Sequence, residues 1–344
     1  MIESHEFLIA FLVASTFSGF LTPVAKKLAF KFEVFDYPTE AHKTHNSLVP
    51  YLGGLAIILS VSITLFLGLS YLNSDSSIWD LPVSVLAPAI LLGIVGLVDD
   101  IRKLSPLSRF LAQSVSGLFT ASILILTNTV GSPTGIVGLD FIITVFWIVG
   151  ITNSINFFDN HDGGASGAVA ISALGLFFLA WQGNQEFIAA LAIVLAGACS
   201  GFLFWNKSPA RIYMGDAGSL FLGTMLASLL VRYEPNPINR FASFSVPIFL
   251  MAIPILDTGV ALFSRLRRRK SIFQGGKDHL SHRLVRLNLS RRTTALTLWI
   301  LSAIFVLIAT AISKIPYSYE GIAVLIGVIV WLCLFMFFIS QKDE

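Results

Sequence analysis

The run FIAALAIVLAGACSGFLFW at residues 187–205 decides the fold class, because it holds no charged residue and is long enough to cross a bilayer. A transmembrane helix needs about 20 mostly apolar residues. Similar runs on either side of it bring the total to about eleven spans, and none alternates apolar and polar residues as barrel strands do. The sequence therefore predicts an all-α, polytopic integral membrane protein. The other runs cover approximately 5–28, 52–72, 82–98, 107–128, 136–155, 164–182, 217–231, 241–263, 293–313 and 320–340.

The composition excludes an ordinary soluble protein. Apolar residues make up 55% of the 344-residue chain and charged residues only 12%, whereas soluble proteins carry about 25% charged residues because their surface must be hydrated. Cys199 and Cys333 both lie inside apolar runs, so neither a disulfide framework nor a thiolate metal site is expected. Neither a basic segment nor a small-residue cleavage site accompanies the first apolar run, which we therefore expect to be retained as a span.

The basic residues predict the orientation of the spans, because Lys and Arg accumulate in cytoplasmic loops. If the N-terminus lies outside, 20 of the 23 basic residues fall on the inner side. We therefore expect an external N-terminus, a cytoplasmic C-terminus and a single transmembrane domain over residues 1–344. Its cytoplasmic loops are expected at 29–51, 99–106, 156–163, 206–216 and 264–292.

Two carboxylates stand side by side at the inner end of the third span, in GLVDD at 96–100. A carboxylate beside an apolar run is costly to desolvate. Asp99 and Asp100 therefore indicate a metal-binding or proton-accepting pair. The alternative is ordinary helix-end charge, with Arg102 and Lys103 as partners.

A second polar string, NSINFFDNHDGG at 153–164, spaces Asn156, Asp159 and Asp162 three residues apart. In a helix these side chains would share one face. Oxygen-rich clusters of this kind suit Mg²⁺. A simple polar turn is the alternative.

A third string, NKSPARIYMGDAGS at 206–219, contains two glycines that permit close backbone approach, Gly215 and Gly218. Asp216 lies between them at the expected start of the eighth span, where helix N–H groups favour anions. A plain helix N-cap is the alternative for Asp216.

The basic stretch 265–292 encloses GGKDHLSHR at 275–283. Most of its arginines are explained by positive-inside anchoring or by contact with anionic lipids. His279 and His282 lie among glycine and basic residues, so a phosphate or a uracil-like base could bind there. They lack the further partners of a zinc site. The segment 42–54 is a weaker signal.

Carboxylates, cations, amides and glycines are thus predicted to gather in loops on one side of the membrane. This combination favours an enzyme that handles a phosphorylated substrate with a hard divalent metal. A transporter more often places its charges at mid-membrane, on broken helices. Asp257 is the one acid expected inside a span.

The ordered set of strings resembles the polyprenyl-phosphate N-acetylhexosamine-1-phosphate transferases, glycosyltransferase family 4. The resemblance implies transfer of a sugar 1-phosphate from a UDP-sugar to undecaprenyl phosphate. UMP and a lipid-diphosphate-linked sugar that starts a cell-envelope glycan would be the products. The DHLSH form is similar to the branch that transfers N-acetylglucosamine 1-phosphate. The matching strings are GLVDD (96–100), NSINFFDNHDGG (153–164), NKSPARIYMGDAGSLFLG (206–223), PILDT (254–258) and DHLSHRL (278–284).

The same resemblance implies roles for individual residues. Asp99 and Asp100 match the paired catalytic carboxylates. Asp159 and Asp216 match ligands of Mg²⁺, with Mn²⁺ as the alternative ion. Nine residues are implied in substrate binding: Lys43, Asn156, Asp162, Asn206, Tyr213, Gly215, His279, His282 and Arg283.

Departures from the family pattern bear on the donor sugar. Asn160 stands where a glycine commonly follows the first aspartate, and Asn46 and Ser47 stand where relatives often have a lysine. Three alternatives stay open. They are a phospho-N-acetylmuramoyl-pentapeptide transferase of peptidoglycan synthesis, a non-enzymatic transporter of lipid-linked sugars, and an inactive relative that binds the nucleotide sugar.

The resemblance also implies a location and partners. We expect a multi-pass protein of the bacterial plasma membrane with its active site facing the cytoplasm. The expected partners are a UDP-N-acetylhexosamine, undecaprenyl phosphate and the lipid bilayer. A homodimer is expected by resemblance, and no nucleic acid is expected as a partner.

Overall fold

The computed structural model describes residues 3–36, 48–71, 80–126, 134–235, 240–271 and 276–341. Over these ranges the chain is almost wholly helical, with one short antiparallel strand pair. The elements in chain order are α1 (Ser4–Lys31), β1 (Phe35–Asp36), β2 (Val49–Pro50), α2 (Gly53–Tyr71), α3 (Asp80–Arg102), α4 (Pro106–Leu126), α5 (Val137–Phe158), α6 (Gly164–Gln182), α7 (Glu186–Asn206), α8 (Gly215–Arg232), α9 (Arg240–Leu250), α10 (Ala252–Arg267), α11 (Leu280–Arg286), α12 (Arg291–Ile312) and α13 (Tyr317–Ser340).

The helices confirm a multi-pass membrane fold. In the described part of the chain, nine helices are long and apolar enough to cross a membrane, and the bent pair α9–α10 gives a tenth span. The remaining predicted span, 217–231, corresponds to α8. Its mean hydropathy is lowered by Asp216 and Arg232 at its two ends, and nearly all of its residues are buried. α8 is therefore a core helix that other helices surround.

The predicted span at 241–263 corresponds to the bent pair α9–α10, and the sequence did not indicate its bend. α9 and α10 meet at Met251, where the chain bends by 76°. Pro247 lies inside α9 and Pro254 lies in the first turn of α10. Proline lacks the N–H that a helix interior needs and clashes with the preceding turn. A break between the two prolines follows, and hydropathy alone does not reveal it.

Small residues bring the helices into close contact. A side-chain carbon at Gly201 of α7 would lie 2.1 Å from the Ser15 carbonyl oxygen of α1, and one at Gly96 of α3 would lie 2.3 Å from the Asp216 carbonyl oxygen of α8. In membranes, where lipid offers no hydrophobic drive between helices, such close packing stabilises the bundle. The second contact also places the inner end of α3 against the start of α8.

One end of the bundle collects the polar loops. α3, α5, α7 and α10 end there, and α4, α8 and α11 begin there. The β1–β2 pair closes over the loop before α8, because the Tyr213 N–H donates to the Pro50 carbonyl at 3.0 Å and the Gly53 N–H donates to the Tyr213 carbonyl at 3.0 Å. Elsewhere, apolar side chains such as Phe20, Phe146 and Leu307 face outwards, as lipid contact requires.

Candidate active site

Asp100 holds the first turn of α8. Its two carboxylate oxygens accept the backbone N–H groups of Asp216 at 2.9 Å and Ala217 at 3.1 Å. Gly215 makes this approach possible, because its φ is +69° and a side-chain carbon there would lie 2.5 Å from the Asp100 carboxylate. Asp100 therefore caps a helix that belongs to a different part of the chain, and it fixes the position of Asp216.

Asp99 lies beside a cation. One of its oxygens accepts the Leu104 N–H at 2.6 Å, and the other lies 3.1 Å from Arg109 Nη1. The same nitrogen of Arg109 donates to Asp216 Oδ2 at 3.3 Å. Arg109 thus bridges the two carboxylates. The sequence interpretation used it only for topology, since no motif predicts that the first turn of α4 folds back onto Asp99.

Asn156 completes the surroundings of Asp216. Its Nδ2 donates to Asp216 Oδ1 at 2.9 Å and lies 2.9 Å from the Ser219 hydroxyl. Asn156 lies in the last turn of α5, so one hydrogen bond joins α5 to α8. The prediction that Asn156, Asp159 and Asp162 share one helix face is wrong, because α5 ends at Phe158; the carboxylate that Asn156 contacts is Asp216.

Asp159 and Asp162 lie at the turn between α5 and α6. Burial, followed by the charges of Asp216 and Asp162, raises the pKa of Asp159 to about 8. Asp162 accepts the Ala210 N–H at 3.2 Å and the Tyr213 hydroxyl at 3.3 Å. The string at 153–164 and the string at 206–219 therefore meet at Asp162, which also lies 3.8 Å from Arg291 Nη1.

Asn206 was predicted to bind substrate, but in the structure it is buried and its side chain is hydrogen-bonded to other parts of the protein. It is 1% exposed. Its side-chain oxygen accepts the Gly163 N–H at 3.1 Å and the Ser166 hydroxyl at 2.8 Å, and its amide donates to the Ile212 carbonyl at 3.1 Å. Because both ends of the amide bind protein, Asn206 holds the loop before α8 in shape.

His279 belongs to a buried charged network. Its Nδ1 lies 2.7 Å from Asp257 Oδ2, and its Nε2 lies 3.3 Å from an Arg265 nitrogen. Arg265 also forms a two-pronged pair with Asp278, at 2.9 Å for both contacts. Burial alone would raise the pKa of Asp278, but the hydrogen bond and charge of Arg265 outweigh it and lower that pKa. Both ring nitrogens of His279 thus have protein partners.

His282 and Arg283 follow on α11 and differ from each other. Burial, and next the neighbouring His279, lowers the pKa of His282 to about 3, so this imidazole is neutral. Arg283 is fully buried. Its guanidinium donates to the carbonyls of Phe338 at 2.8 Å and Gln341 at 3.0 Å. The prediction that Arg283 binds substrate is therefore corrected: it ties α11 to the end of α13.

Two further predicted residues complete the comparison with the sequence. Tyr213 lies beside Tyr51, with ring centroids 6.1 Å apart, which forms an aromatic wall next to Asp162. Tyr51 was not predicted, and its nearness follows only from the hydrogen bonds between the β2 segment and the loop before α8. Lys43 lies outside the described residues.

The arrangement suits phosphoryl chemistry. Asp99, Asp216 and Asn156 come from three helices and lie close together, with Arg109 as a cation for any developing negative charge. Among the described residues, no three His, Cys, Asp or Glu side chains form a complete metal cage. Mg²⁺ in phosphate-handling sites is commonly held by one or two carboxylates, water and the substrate itself.

Comparison with known proteins identifies the family. Residues 82–234 match the profile of glycosyl transferase family 4. The chain is 31% identical to a Bacillus subtilis (strain 168) protein named "Probable undecaprenyl-phosphate N-acetylglucosaminyl 1-phosphate transferase". The alignment covers 96% of this chain and 88% of the relative. The chain belongs to glycosyl transferase family 4.

Two further relatives carry related names. This family 4 transferase is 30% identical, over 86% of its length and 81% of the relative's, to a decaprenyl-phosphate N-acetylglucosaminephosphotransferase of Mycobacterium leprae (strain TN). It is also 29% identical to a phospho-N-acetylmuramoyl-pentapeptide-transferase of Bacillus pumilus (strain SAFR-032), over 74% of this chain and 84% of the relative. The resemblance of the sequence strings is thereby confirmed. The chain is an enzyme, a phosphotransferase, and the non-enzymatic transporter is not supported.

Proposed function

We propose that the chain transfers N-acetylglucosamine 1-phosphate from UDP-N-acetylglucosamine to undecaprenyl phosphate. The observation that carries the proposal is the meeting of Asp99, Asp216 and Asn156 around Arg109 at one end of the bundle. Two of the relatives described above carry N-acetylglucosamine in their names and match most of the chain. The products would be UMP and a lipid-diphosphate-linked sugar.

The residues present fit a hard divalent cation. Asp99 Oδ2 is buried and accepts no hydrogen bond from the described residues, with Arg109 as its charge partner at 3.1 Å. Burial, followed by the charges of Asp216 and Asp162, raises the pKa of Asp159 to about 8, and a bound cation would favour its ionised form. Asp159 and Asp216 are the residues that would hold Mg²⁺, or Mn²⁺ in its place. When bound, the ion would neutralise the diphosphate of the donor and make UMP a better leaving group.

The paired aspartates divide their roles in this proposal. Asp100 uses both oxygens to fix α8, so it positions Asp216. Asp99 keeps one oxygen without a hydrogen-bond donor, beside Arg109. Asp99 therefore orients the lipid phosphate and accepts its remaining proton.

The reaction is a direct displacement. An oxygen of the lipid phosphate forms a bond to the sugar-bearing phosphorus, and the bond between that phosphorus and the oxygen shared with the second phosphate breaks. The shared oxygen leaves with UMP. Such transfers depend mainly on positioning and on neutralising charge. Arg109 supplies a fixed positive charge at this place, and the aromatic wall of Tyr51 and Tyr213 offers a face for uracil.

Orientation and location belong to the same proposal. The site lies at the end of the bundle that carries most of the basic residues, so the positive-inside rule favours an active site on the cytoplasmic side of the bacterial plasma membrane. The lipid acceptor would reach it from the bilayer. A homodimer remains a prediction.

A donor comparison tests the proposal. Purified protein in detergent is given undecaprenyl phosphate, Mg²⁺ and either UDP-N-acetylglucosamine or UDP-N-acetylmuramoyl-pentapeptide, and released UMP is measured. We expect release with the first donor and little with the second. The reverse result would favour the pentapeptide transferase, to which a relative of that name lends weight. No release with any UDP-N-acetylhexosamine, despite binding, would favour the inactive relative.

A further inference from the structure

The amide of Asn160 joins two parts of the site that lie 121 residues apart in sequence. Its Nδ2 donates to the Phe157 carbonyl at 2.6 Å, and its Oδ1 accepts the hydroxyl of Ser281. Ser281 is only 2% exposed. One side chain thus connects the end of α5 to the first turn of α11, and we call this contact the Asn160–Ser281 clasp.

The α11 side of the clasp is anchored independently. The Leu280 N–H donates to Asp257 at 2.7 Å, and Arg283 binds the Phe338 carbonyl at 2.8 Å. These bonds fix α11 to α10 and to α13. Because Ser281 lies between the two anchoring residues, it offers a rigid point of attachment, and the turn that follows α5 is the part that the clasp restrains.

That turn carries unfavourable charge. Asp159 directly precedes Asn160, and burial, followed by the charges of Asp216 and Asp162, disfavours ionisation of its carboxyl group. Like charges in a poorly solvated site repel one another strongly. A neutral hydrogen bond to an anchored helix resists the outward movement of Asp159 without adding another charge.

We propose that the Asn160–Ser281 clasp positions Asp159 for the metal-bound donor, which makes Asn160 a determinant of donor affinity. This inference rests on the proposed function. Asn160 touches neither the reacting atoms nor the ion in this account; it acts through the neighbouring Asp159. Removing the Asn160 side chain should therefore weaken donor binding more than it lowers the rate of transfer in the enzyme–donor complex.

A double-mutant cycle tests the clasp. Asn160→Ala, Ser281→Ala and the double variant are compared with the wild type for UDP-N-acetylglucosamine affinity in Mg²⁺, for KM and kcat, and for thermal stability. Loss of one hydrogen bond predicts a rise of about tenfold in Kd and KM for each single variant, with kcat changed by less than about twofold. The double variant should match either single one, because both remove the same contact.

Two control variants remove polar groups of the same kind without touching the clasp. Asn153→Ala removes an amide that donates to the Val149 carbonyl within α5, and Ser302→Ala removes a buried hydroxyl that donates to the Leu298 carbonyl within α12. Both should keep the wild-type KM.

Two results would contradict the proposed role of the clasp. The first is that the effects of the two single variants on donor affinity add up in the double variant. The second is that kcat falls together with thermal stability while the Kd for the donor stays unchanged. The proposed function fails separately, if the wild type binds the donor and releases no UMP. In that case the Kd values still test the clasp, since an unchanged Kd in Asn160→Ala contradicts it.

Discussion

Asp257 and His279 form a buried pair in which the carboxylate oxygen lies 2.7 Å from the imidazole Nδ1. Because a carboxylate only accepts, Nδ1 donates in this contact, and Nε2 lies 3.3 Å from an Arg265 nitrogen. The second Asp257 oxygen accepts the Leu280 N–H at 2.7 Å. The one acid expected inside a span therefore holds the histidine loop onto α10.

Replacing Asp257 by alanine should loosen this loop. Breaking a buried charged network by removing one member typically costs about 3–5 kcal/mol, so we expect a marked fall in the thermal unfolding midpoint in detergent. Asp257→Asn can still accept from Leu280 and should lose less. Equal midpoints for Asp257→Ala and the wild type would contradict this assignment.

Gly215 should tolerate no side chain. Its φ is +69°, and a side-chain carbon would lie 2.5 Å from the Asp100 carboxylate. Gly215→Ala must displace either Asp100 or the first turn of α8, so UMP release should fall by about a hundredfold, comparable to losing an oriented catalytic contact. Gly150→Ala is the control, because nothing lies within 4 Å of that position. Near-normal turnover in Gly215→Ala would show that the cap is dispensable.

Arg109 should contribute to turnover. It lies 3.1 Å from Asp99 and 3.3 Å from Asp216, where it can neutralise charge on the transferred group. Arg109→Ala should lower kcat by about a hundredfold, and Arg109→Lys should recover part of this by restoring the charge without the planar guanidinium. Arg102→Ala, an exposed cation at the end of α3, is the control. If both alanine variants behave alike, Arg109 has no special role.

The neutral state of His282 predicts a pH dependence of stability. Its folded pKa of about 3 lies below the ordinary value of 6.5. Above pH 6.5 neither folded nor unfolded chain is protonated there. Below it the unfolded chain gains a proton that the folded chain refuses, so stability falls by up to about 1.4 kcal/mol per pH unit until the folded pKa is reached.

Thermal midpoints at pH 7.5 and pH 5 check this dependence. The wild type should lose stability on acidification, and His282→Asn should lose less. His5→Asn, at an exposed histidine of α1, is the control and should match the wild type. A wild-type midpoint that rises at pH 5 would contradict the assignment of a neutral, buried His282.

The sequence predicted the spans and the principal carboxylates, since both depend on local patterns. Apolar runs of sufficient length mark the helices, and the pairing of Asp99 with Asp100 beside such a run indicates chemistry. The bend at Met251 was missed because hydropathy averages over it.

Roles that depend on distant partners could not be predicted. Arg283 resembles a substrate ligand in sequence, but its partners Phe338 and Gln341 lie 55 and 58 residues further along the chain. The Asn160–Ser281 contact likewise joins segments whose approach only the packed helices determine. Arg109 was used only as one of the basic residues that indicate the cytoplasmic side, because no sequence motif predicts that the turn between α3 and α4 brings it to Asp99.

The most direct test of the central claim is magnesium-dependent UMP release by the wild type, Asp99→Asn and Asp216→Asn. UDP-N-acetylglucosamine and undecaprenyl phosphate are the substrates, and Glu234→Gln, at an exposed acid outside the site, is the control. The account predicts release by the wild type and the control, loss on chelation of Mg²⁺, and loss by more than about a hundredfold in both aspartate variants. Undiminished release by Asp99→Asn or Asp216→Asn would contradict the assignment of this cluster as the catalytic centre.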